Sequence, residues 1–353
     1  MRTTLFHLTQ EKGAEFSTFG DWEIPRHYGD PEAEYEAAHS SAVLRDASHW
    51  GRLRITGEDH LDFLHRMTTN DFNSLLPGTG FEAVFVEGRA RILDVGAFYR
   101  SNDSTLSVLS PKGRKIIPAW LDRYIFAEKI FFEDITASTS MIELMGPRAA
   151  ALGAALGQNG VEAVHHLSSD PASKGLWLAP LDFCGHRGFR IAGSPEKIRC
   201  VWEELQAGGA LPIGEDGWEI LRIEAGQPVL DRELTEEYNP WEANLGHAIH
   251  PDKGCYIGQE VIARLNTYDK VRQHLMGLRL PPGRTPASPT PIRSGRRAAG
   301  KITSAVYSPH LKNNIALAYV RRAYCSPGTE VEYDFDGCVQ KAEVTALPFP
   351  RSP

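Results

Sequence analysis

The stretch Lys253-Gly-Cys-Tyr-Ile-Gly-Gln-Glu260 is the most informative motif in the sequence for the fold. Cys255 lies between Gly254 and Gly258, which permit a tight turn and leave the thiol accessible. The apolar residues that follow fall on one helical face, which predicts that a short helix begins after Gly258. Cys255 would then precede a helix N-terminus close to Lys253, a position that favours the thiolate. The alternative is that Cys255 is a small buried hydrophobic residue.

Length and composition are those of an ordinary globular protein. The chain has 353 residues, of which 42% are hydrophobic and 24% are charged. This length exceeds the size at which a single core stops growing, so we expect two or three domains. The N-terminus lacks a secretory signal and no stretch is long enough to cross a bilayer, so we expect a cytoplasmic protein without membrane association. We also expect a monomer. A net charge of -7 argues against stable nucleic-acid binding.

The cysteines do not form a recognisable framework. They are Cys184, Cys200, Cys255, Cys325 and Cys338. The absence of a Cys-x-x-Cys pair argues against a structural zinc site, a disulfide scaffold or a cluster held by this chain. His247, His250 and Cys255 are residue types that bind metal ions, but the intervening Pro251 and Gly254 suit a loop and no fourth ligand is evident. We therefore expect no metal.

One acid interrupts an apolar strand in the first third of the chain. Residues 83–87 and 92–99 read as two strands joined through Gly88-Arg-Ala-Arg91 as a hairpin. Asp94 lies in the second strand. Its carboxylate either faces solvent or is buried and directed at a ligand amine, and the sequence leaves both alternatives open.

Short alternating strands with Gly and Pro turns follow Val271, which predicts a small β-barrel. The basic, proline-rich run 281–297 inside this region is typical of a solvated loop. We therefore expect the C-terminal part of the chain to be all-β, with one long loop.

Several motifs resemble a known superfamily. The octapeptide Lys-Gly-Cys-Tyr-x-Gly-Gln-Glu resembles that of the YgfZ-type folate-binding proteins, which support iron–sulfur enzymes and are relatives of the glycine cleavage T-protein (GcvT), an aminomethyltransferase. Further segments resemble both branches of this superfamily: Gly13 to Tyr28, Asp46 to Gly51, Thr68 to Asp71, Leu221 to Pro228 and Gly300 to Ser304. The resemblance covers nearly the whole chain.

The resemblance implies an α+β, GcvT-like fold of three domains around a central folate cavity. Two domains are ferredoxin-like α+β units and the third is a small C-terminal β-barrel. The implied boundaries are a discontinuous folate-binding domain of residues 1–48 and 141–268 that carries the octapeptide, an inserted domain of residues 49–140, and a barrel of residues 271–353.

The resemblance also implies roles for individual residues. Cys255 is expected to be the functional thiol, and Asp94 to stand in the strand that carries two adjacent aspartates in aminomethyltransferases. The resemblance implies that the second aspartate of this pair is the catalytic one. Here the pair has become Asp94-Val95, and because neighbouring strand residues face opposite sides, Asp94 cannot simply take the place of the missing partner. The residues assigned to tetrahydrofolate binding are Arg222, Glu224, Tyr256, Phe183 and Arg190.

Two of these positions depart from the aminomethyltransferase pattern. Phe183 replaces a tyrosine, and Arg190 replaces the acid expected to grip the pterin ring. An arginine cannot accept hydrogen bonds from pterin amino groups. Either the polar contacts of the site differ, or Arg190 pairs with the glutamate tail of folate.

The leading function implied is a tetrahydrofolate-binding protein for iron–sulfur cluster assembly or repair, with iron–sulfur enzymes, including tRNA-modifying ones, or carrier proteins as partners. The alternative is a tetrahydrofolate-dependent aminomethyltransferase that takes a methylene group from an aminomethyl-lipoyl carrier and releases ammonia. Asp94 supports this enzyme, whereas Val95, Arg190 and Cys255 weigh against it. A third possibility, ranked lowest, is an RNA-binding module that uses the cations Arg293, Arg296, Arg297 and Lys301.

Overall fold

Residues 1–158, 176–183 and 185–350 are described by a computed structural model, and Cys184 lies outside this part of the chain. The chain divides into two units. Unit 1 comprises Met1–Phe85 and Val95–Trp218, and unit 2 comprises Val86–Asp94 and Glu219–Pro353. The three-domain division drawn from the sequence stays a prediction.

Unit 1 contains helices, a two-stranded sheet and two five-stranded sheets. In chain order its elements are α1 (Phe6–Glu11), β1 (Glu15–Phe19), β2 (Trp22–His27), α2 (Pro31–Ser40), β3 (Val43–Asp46), β4 (Gly51–Thr56), α3 (His60–Met67), β5 (Gly80–Val86), β6 (Ile92–Arg100), β7 (Ser104–Leu109), α4 (Gly113–Leu121), β8 (Phe131–Asp134), β9 (Ser140–Met145), α5 (Ala149–Gln158), β10 (Trp177–Phe183), β11 (His186–Gly193), α6 (Pro195–Ala207), β12 (Leu211–Pro212) and α7 (Glu215–Ala225). Strands β5 and β6 and helix α7 run across the division between the units.

The first five-stranded sheet has the order β10-β11-β9-β3-β12. One face packs against α5 and α6 and buries apolar residues that include Leu44, Ile142, Ile191 and Trp202. Because successive strand residues alternate between faces, the residues between these positions point to the opposite face. That face carries the candidate site described below.

The second five-stranded sheet has the order β5-β6-β7-β4-β8. Tyr99 and Val108 from this sheet share an apolar cluster with Met141 and Trp177 from the first sheet. The rings of Tyr99 and Trp177 meet edge to face, with centroids 4.8 Å apart. Aromatic and aliphatic burial therefore joins the two sheets of unit 1.

Unit 2 ends in a closed barrel with the order β13-β16-β15-β14-β17-β18. Its elements after α7 are α8 (Gln259–Thr267), β13 (Gln273–Leu280), β14 (Thr290–Ser294), β15 (Arg297–Ser308), β16 (Asn313–Arg321), β17 (Glu330–Phe335) and β18 (Cys338–Thr345). The predicted α+β class and the C-terminal β-barrel are confirmed. None of the described helices is both long and apolar enough to span a membrane.

The basic run 281–297 is only partly a loop, so this prediction was wrong in its second half. Thr290–Ser294 forms β14, which pairs with β15 and β17. Ile292 is buried in the barrel core, whereas Pro291 is exposed and Arg293 is half-buried. A buried apolar residue between two less buried neighbours is typical of a half-buried strand, here inside a basic segment.

Candidate functional site

A row of alternating charges crosses three neighbouring strands of unit 1. The register places Glu143 of β9 opposite both Arg45 of β3 and Arg190 of β11. Arg45 Nη1 lies 2.8 Å from Glu143 Oε2, and Arg190 Nε lies 3.1 Å from Glu143 Oε1. The three side chains are buried. Adjacent strands of one sheet thus hold two arginines on one carboxylate.

Further groups complete each end of this row. Glu215 accepts hydrogen bonds from Nε and Nη2 of Arg45, at 2.9 and 2.7 Å. The Arg45 guanidinium lies 3.8 Å from the centroid of the Trp218 ring. At the other end, Arg190 Nη1 donates to the Tyr99 hydroxyl at 3.4 Å. These contacts fix the position of both guanidinium groups.

Phe183, assigned to folate binding from the sequence, is buried at the end of β10. Its ring is inclined by 11° to that of Trp218, with centroids 6.4 Å apart. Because Trp218 also lies under Arg45, the structure joins Phe183 to the charged row through one aromatic ring. Arg190 lies on the adjacent strand, β11.

Glu143 is the residue that sequence reasoning missed in this site. Burial raises the pKa of its carboxyl, but Arg45 and Arg190 together outweigh burial, and the net pKa lies below the usual value. The signal was present, since Glu143 is an acid inside the apolar strand Ser140–Met145, like Asp94 in its own strand. What the sequence did not reveal was that Arg190 would be its partner.

We expect Glu143→Gln to lower the free energy of unfolding at neutral pH. We also expect the free energy of unfolding of this variant to change less than that of wild type as the pH is lowered. Because the pKa of Glu143 is lower in the folded state, its stabilisation is present above the unfolded pKa of about 4.3 and is lost as pH falls through the folded pKa. Urea unfolding at a series of pH values measures this effect. The difference between wild type and variant should shrink below about pH 4.

The matched control for this prediction is Glu133→Gln. Glu133, whose side chain is 64% exposed, lies 3.7 Å from the half-buried Arg54 and should contribute little. A wild-type and Glu143→Gln difference that stayed constant down to low pH would contradict the role assigned to the Glu143 carboxylate.

Asp94 lies in the β6 part of unit 2 and is 1% exposed. The solvent-facing alternative for Asp94 is therefore wrong, because its strand position shares the buried face with Ile92 and Gly96. Val95 is half-buried on the alternate position. The carboxylate of Asp94 is therefore shielded from water, a setting that is typical of catalytic carboxylates.

Cys255 is exposed, so the alternative that it is a buried hydrophobic residue is wrong. The predicted helix is confirmed, and α8 begins at Gln259 directly after Gly258, whose φ of 80° is left-handed. Lys253 is buried, and its Nζ lies 4.8 Å from the centroid of the Tyr256 ring. Burial raises the pKa of the half-buried Tyr256 to about 12.

Within unit 2 the octapeptide lies against the hairpin that carries Asp94. A Cβ added to Gly258 would come within 2.9 Å of the Glu87 carbonyl oxygen and 3.1 Å of Val86 Cγ2. The same hairpin is held by a hydrogen bond of 3.1 Å from Ile92 N to Tyr238 O. The glycine therefore serves a close approach as well as a turn.

Arg222 is fully buried. Nε and Nη2 each lie 2.6 Å from Glu219, and Nη1 lies 3.2 Å from Glu233. Nη1 also donates to Gln227 O at 3.1 Å, and Nη2 to Ser304 Oγ at 2.8 Å. Every nitrogen of this guanidinium has a protein acceptor.

Glu224, on the same helix as Arg222, contacts the barrel at a different point. Ser308 Oγ donates to Glu224 Oε1 at 2.5 Å, and Phe349 N donates to Glu224 O at 2.9 Å. Both residues of the Leu221 to Pro228 motif therefore join α7 to other parts of unit 2. Among the described residues, no group of His, Cys, Asp and Glu is placed to hold a metal ion.

Comparisons with known proteins cover almost the entire chain. The GCVT N-terminal domain family matches residues 5–253, and the glycine cleavage T-protein C-terminal barrel domain matches residues 273–350. A putative transferase, chloroplastic, of Arabidopsis thaliana is 36% identical over 92% of this chain and 76% of its own length. An aminomethyltransferase of Symbiobacterium thermophilum is 30% identical over 100% of this chain and 98% of its own length.

A solved structure is similar over the same span. The glycine cleavage system aminomethyltransferase T from Bartonella henselae superposes with a TM-score of 0.88, covering 99% of this chain and 98% of that chain. Its sequence is 23% identical, so this likeness concerns the fold. The GcvT-like architecture expected from the motifs is confirmed.

Proposed function

We propose that this chain, which belongs to the glycine cleavage T-protein family, is a tetrahydrofolate-dependent transferase of the aminomethyl type. The observation that carries this proposal is the burial of Asp94, at 1% exposed, on the strand expected to bear the catalytic carboxylate. From the sequence, a role in iron–sulfur cluster assembly ranked above the aminomethyltransferase. The burial of Asp94 and the matched relatives, which are named transferases, favour the transferase instead.

The chemistry required of this chain is modest and suits a buried carboxylate. When bound, tetrahydrofolate would supply the two nitrogens that take up the methylene group, while the bonds of that carbon to the amine and to the lipoyl sulfur break and ammonia and the reduced lipoyl thiol are released. Asp94 would orient the reacting amine and hold its proton, a role worth about 10²- to 10⁴-fold in rate. Low water access strengthens such an interaction.

The folate-binding assignments differ in what their surroundings permit. Phe183 and Arg190 lie in unit 1 beside buried aromatic rings, a setting that suits a planar ligand. Tyr256 is half-buried in unit 2. All five N–H donors of Arg222 meet protein acceptors, so Arg222 could reach a ligand only by releasing one of them. Glu224 is held by the hydrogen bond from Ser308 to its Oε1. We propose that Arg222 and Glu224 support the site indirectly by holding α7.

A lipoyl carrier protein is the partner that this chemistry requires, because the methylene group must be delivered by an aminomethyl-bearing arm. The cytoplasm remains the predicted location, although one relative is named chloroplastic. Monomeric behaviour likewise remains a prediction.

A second candidate is the role in iron–sulfur cluster assembly or repair, with iron–sulfur enzymes or carrier proteins as partners. The exposed thiol of Cys255 favours it. The RNA-binding alternative is weaker still. Two of its four cations are held by acids, since Arg293 Nη1 lies 3.3 Å from Asp334 Oδ1 and Lys301 Nζ lies 2.8 Å from Glu237 Oε2.

The test is formation of methylene-tetrahydrofolate by the purified protein from an aminomethyl-loaded lipoyl carrier, with wild type and Cys255→Ala compared. For the transferase we expect turnover by both proteins. Folate binding without turnover, together with loss of iron–sulfur enzyme activity in cells rescued by wild type but not by Cys255→Ala, would favour the second candidate. Absence of both folate binding and turnover would exclude the transferase.

A further inference from the structure

Five cations surround one exposed aromatic side chain in unit 2, where α8 ends and where β13 begins beside the end of β16. Tyr268 directly follows α8 and is 65% exposed. Lys270 Nζ lies 5.3 Å from the centroid of the Tyr268 ring. We call this surface the cationic patch and define it by its exposed residues, which are Arg264, Tyr268, Lys270, Arg272, Arg321 and Arg322.

Hydrogen bonds hold the segments of the cationic patch together. Tyr268 N donates to Arg264 O at 3.2 Å at the end of α8, and Arg322 N donates to Arg272 O at 2.9 Å. The Arg322 guanidinium also donates to the carbonyl oxygen and to the carboxylate of Asp269. These last contacts join residues 53 positions apart in the sequence. The fold, and not one stretch of sequence, therefore assembles the cations.

Most of the positive charge in the cationic patch is not balanced by acids. Asp269 pairs with Arg322. Glu242, on which the charge of Arg272 also acts, is 5% exposed and adds little negative charge at the surface. Among the residues that the structure describes, the other cations of the patch take part in no ion pair, namely Arg264, Lys270, Arg272 and Arg321. Exposed charges of one sign thus lie together, which costs free energy through mutual repulsion.

Other exposed cations of unit 2 lie beside acids. Lys341 Nζ lies 2.6 Å from Glu330 Oε1, and Arg284 Nη1 lies 3.5 Å from Asp336 Oδ2. The whole chain carries 45 Asp and Glu residues against 38 Lys and Arg residues. In a chain so rich in acids, a group of unpaired cations favours a partner that supplies the missing carboxylates.

The composition of the cationic patch favours a protein partner over a nucleic acid. Arginine binds carboxylates through two parallel hydrogen bonds, and Tyr and Arg are enriched among the residues that dominate protein–protein binding energy. Single-stranded nucleic acids stack on several aromatic rings along a positive groove, whereas the patch as defined holds one ring. A long polyanion would also meet the acidic remainder of a chain whose net charge is -7. A short acidic segment avoids that repulsion.

We propose that the cationic patch is a docking surface for an acidic segment of a partner protein. The carboxylates of that segment pair with Arg264, Arg272 and Arg321, and an apolar side chain beside them packs on Tyr268. None of the residues of the patch has been assigned to folate or to the transferred group. The inference therefore goes beyond the proposed function and does not depend on it.

The test is binding of a fluorescein-labelled peptide of Glu and Asp residues around one Phe, followed by fluorescence anisotropy. The wild type should bind this probe, and its affinity should fall as salt is added, because salt screens exposed charges. Combined Arg264→Gln, Arg272→Gln and Arg321→Gln should weaken binding by about 5- to 100-fold, the range expected for three exposed ion pairs. Tyr268→Ser should weaken it by about 5-fold or more, as removal of an aromatic anchor does.

The matched control removes three exposed cations of unit 2 outside the cationic patch, by combined Arg296→Gln, Arg297→Gln and Lys312→Gln. This variant loses the same positive charge and should bind the probe within about 2-fold of wild type, because distant exposed charges are screened. Thermal unfolding of each variant shows whether it remains folded. Folate binding by the patch variants should equal that of wild type.

Three outcomes would overturn the inference. The first is failure of wild type to bind the probe. The second is an equal loss of affinity in the patch and control variants, which would reduce the effect to net charge. The third is tighter binding of a labelled oligouridine than of the peptide, lost in the patch variant, which would make the surface a nucleic-acid site. Each outcome leaves the proposed function standing, because folate binding and turnover are measured separately.

Discussion

Asp94→Asn should reduce the rate of methylene-tetrahydrofolate formation by about 10²- to 10⁴-fold while folate binding changes little. The variant keeps the size and shape of the side chain but cannot hold a proton from the reacting amine. Asp94 is 1% exposed, so bulk water does not replace it readily. Steady-state turnover with an aminomethyl-loaded lipoyl carrier and a separate folate titration measure the two effects.

Two further variants test whether the effect on turnover is specific to the carboxylate of Asp94. Asp46→Asn changes another buried aspartate, whose carboxylate accepts a hydrogen bond of 2.7 Å from Thr3 Oγ1, and should affect stability more than turnover. Val95→Asp restores two adjacent acids, with the added one on the alternate position of β6. If Asp94→Asn left the turnover rate unchanged and Val95→Asp raised it, the reacting group would lie on the other face of the strand.

Arg222→Met should lower the free energy of unfolding by about 3 to 5 kcal/mol, as expected when one partner of a buried ion pair is removed. The change would leave Glu233, itself fully buried, without its cation. It would also remove the donor to Ser304 on β15, which links α7 to the barrel. Chemical denaturation followed by circular dichroism measures the loss.

Arg232→Met is the matched control, because Arg232 pairs with the same acid, Glu219, from a position 40% exposed. Its loss should cost no more than about 1 kcal/mol. If Arg222→Met were as stable as wild type but lost folate affinity, then Arg222 would be a ligand contact and the supporting role proposed here would be wrong.

Local patterns were enough to predict much of the architecture. The glycines and apolar spacing after Cys255 predicted α8, which begins at Gln259. Alternation and turn residues predicted the hairpin of β5 and β6 and the C-terminal barrel. These signals succeed because helix and strand periodicities repeat within a few residues of one another. The octapeptide and the motifs shared with aminomethyltransferases predicted that the chain belongs to the GcvT superfamily.

The limits of local reasoning show in the basic run 281–297. Its composition indicated a loop, whereas pairing with strands distant in sequence made Thr290–Ser294 part of the barrel. A basic composition indicates that a segment contacts solvent, but whether it forms a strand depends on the partner strands that the rest of the fold supplies.

The sequence by itself determined the α+β class, the barrel, the family motifs and the identity of the residues with chemical potential. Only the tertiary structure decided how those residues are used. It buried Asp94, saturated Arg222 with protein acceptors, and gave Arg190 a partner in Glu143 across a strand pairing that joins residues 47 positions apart. The reason is physical: the value of a charge depends on burial and on its counter-charges, which distant segments provide.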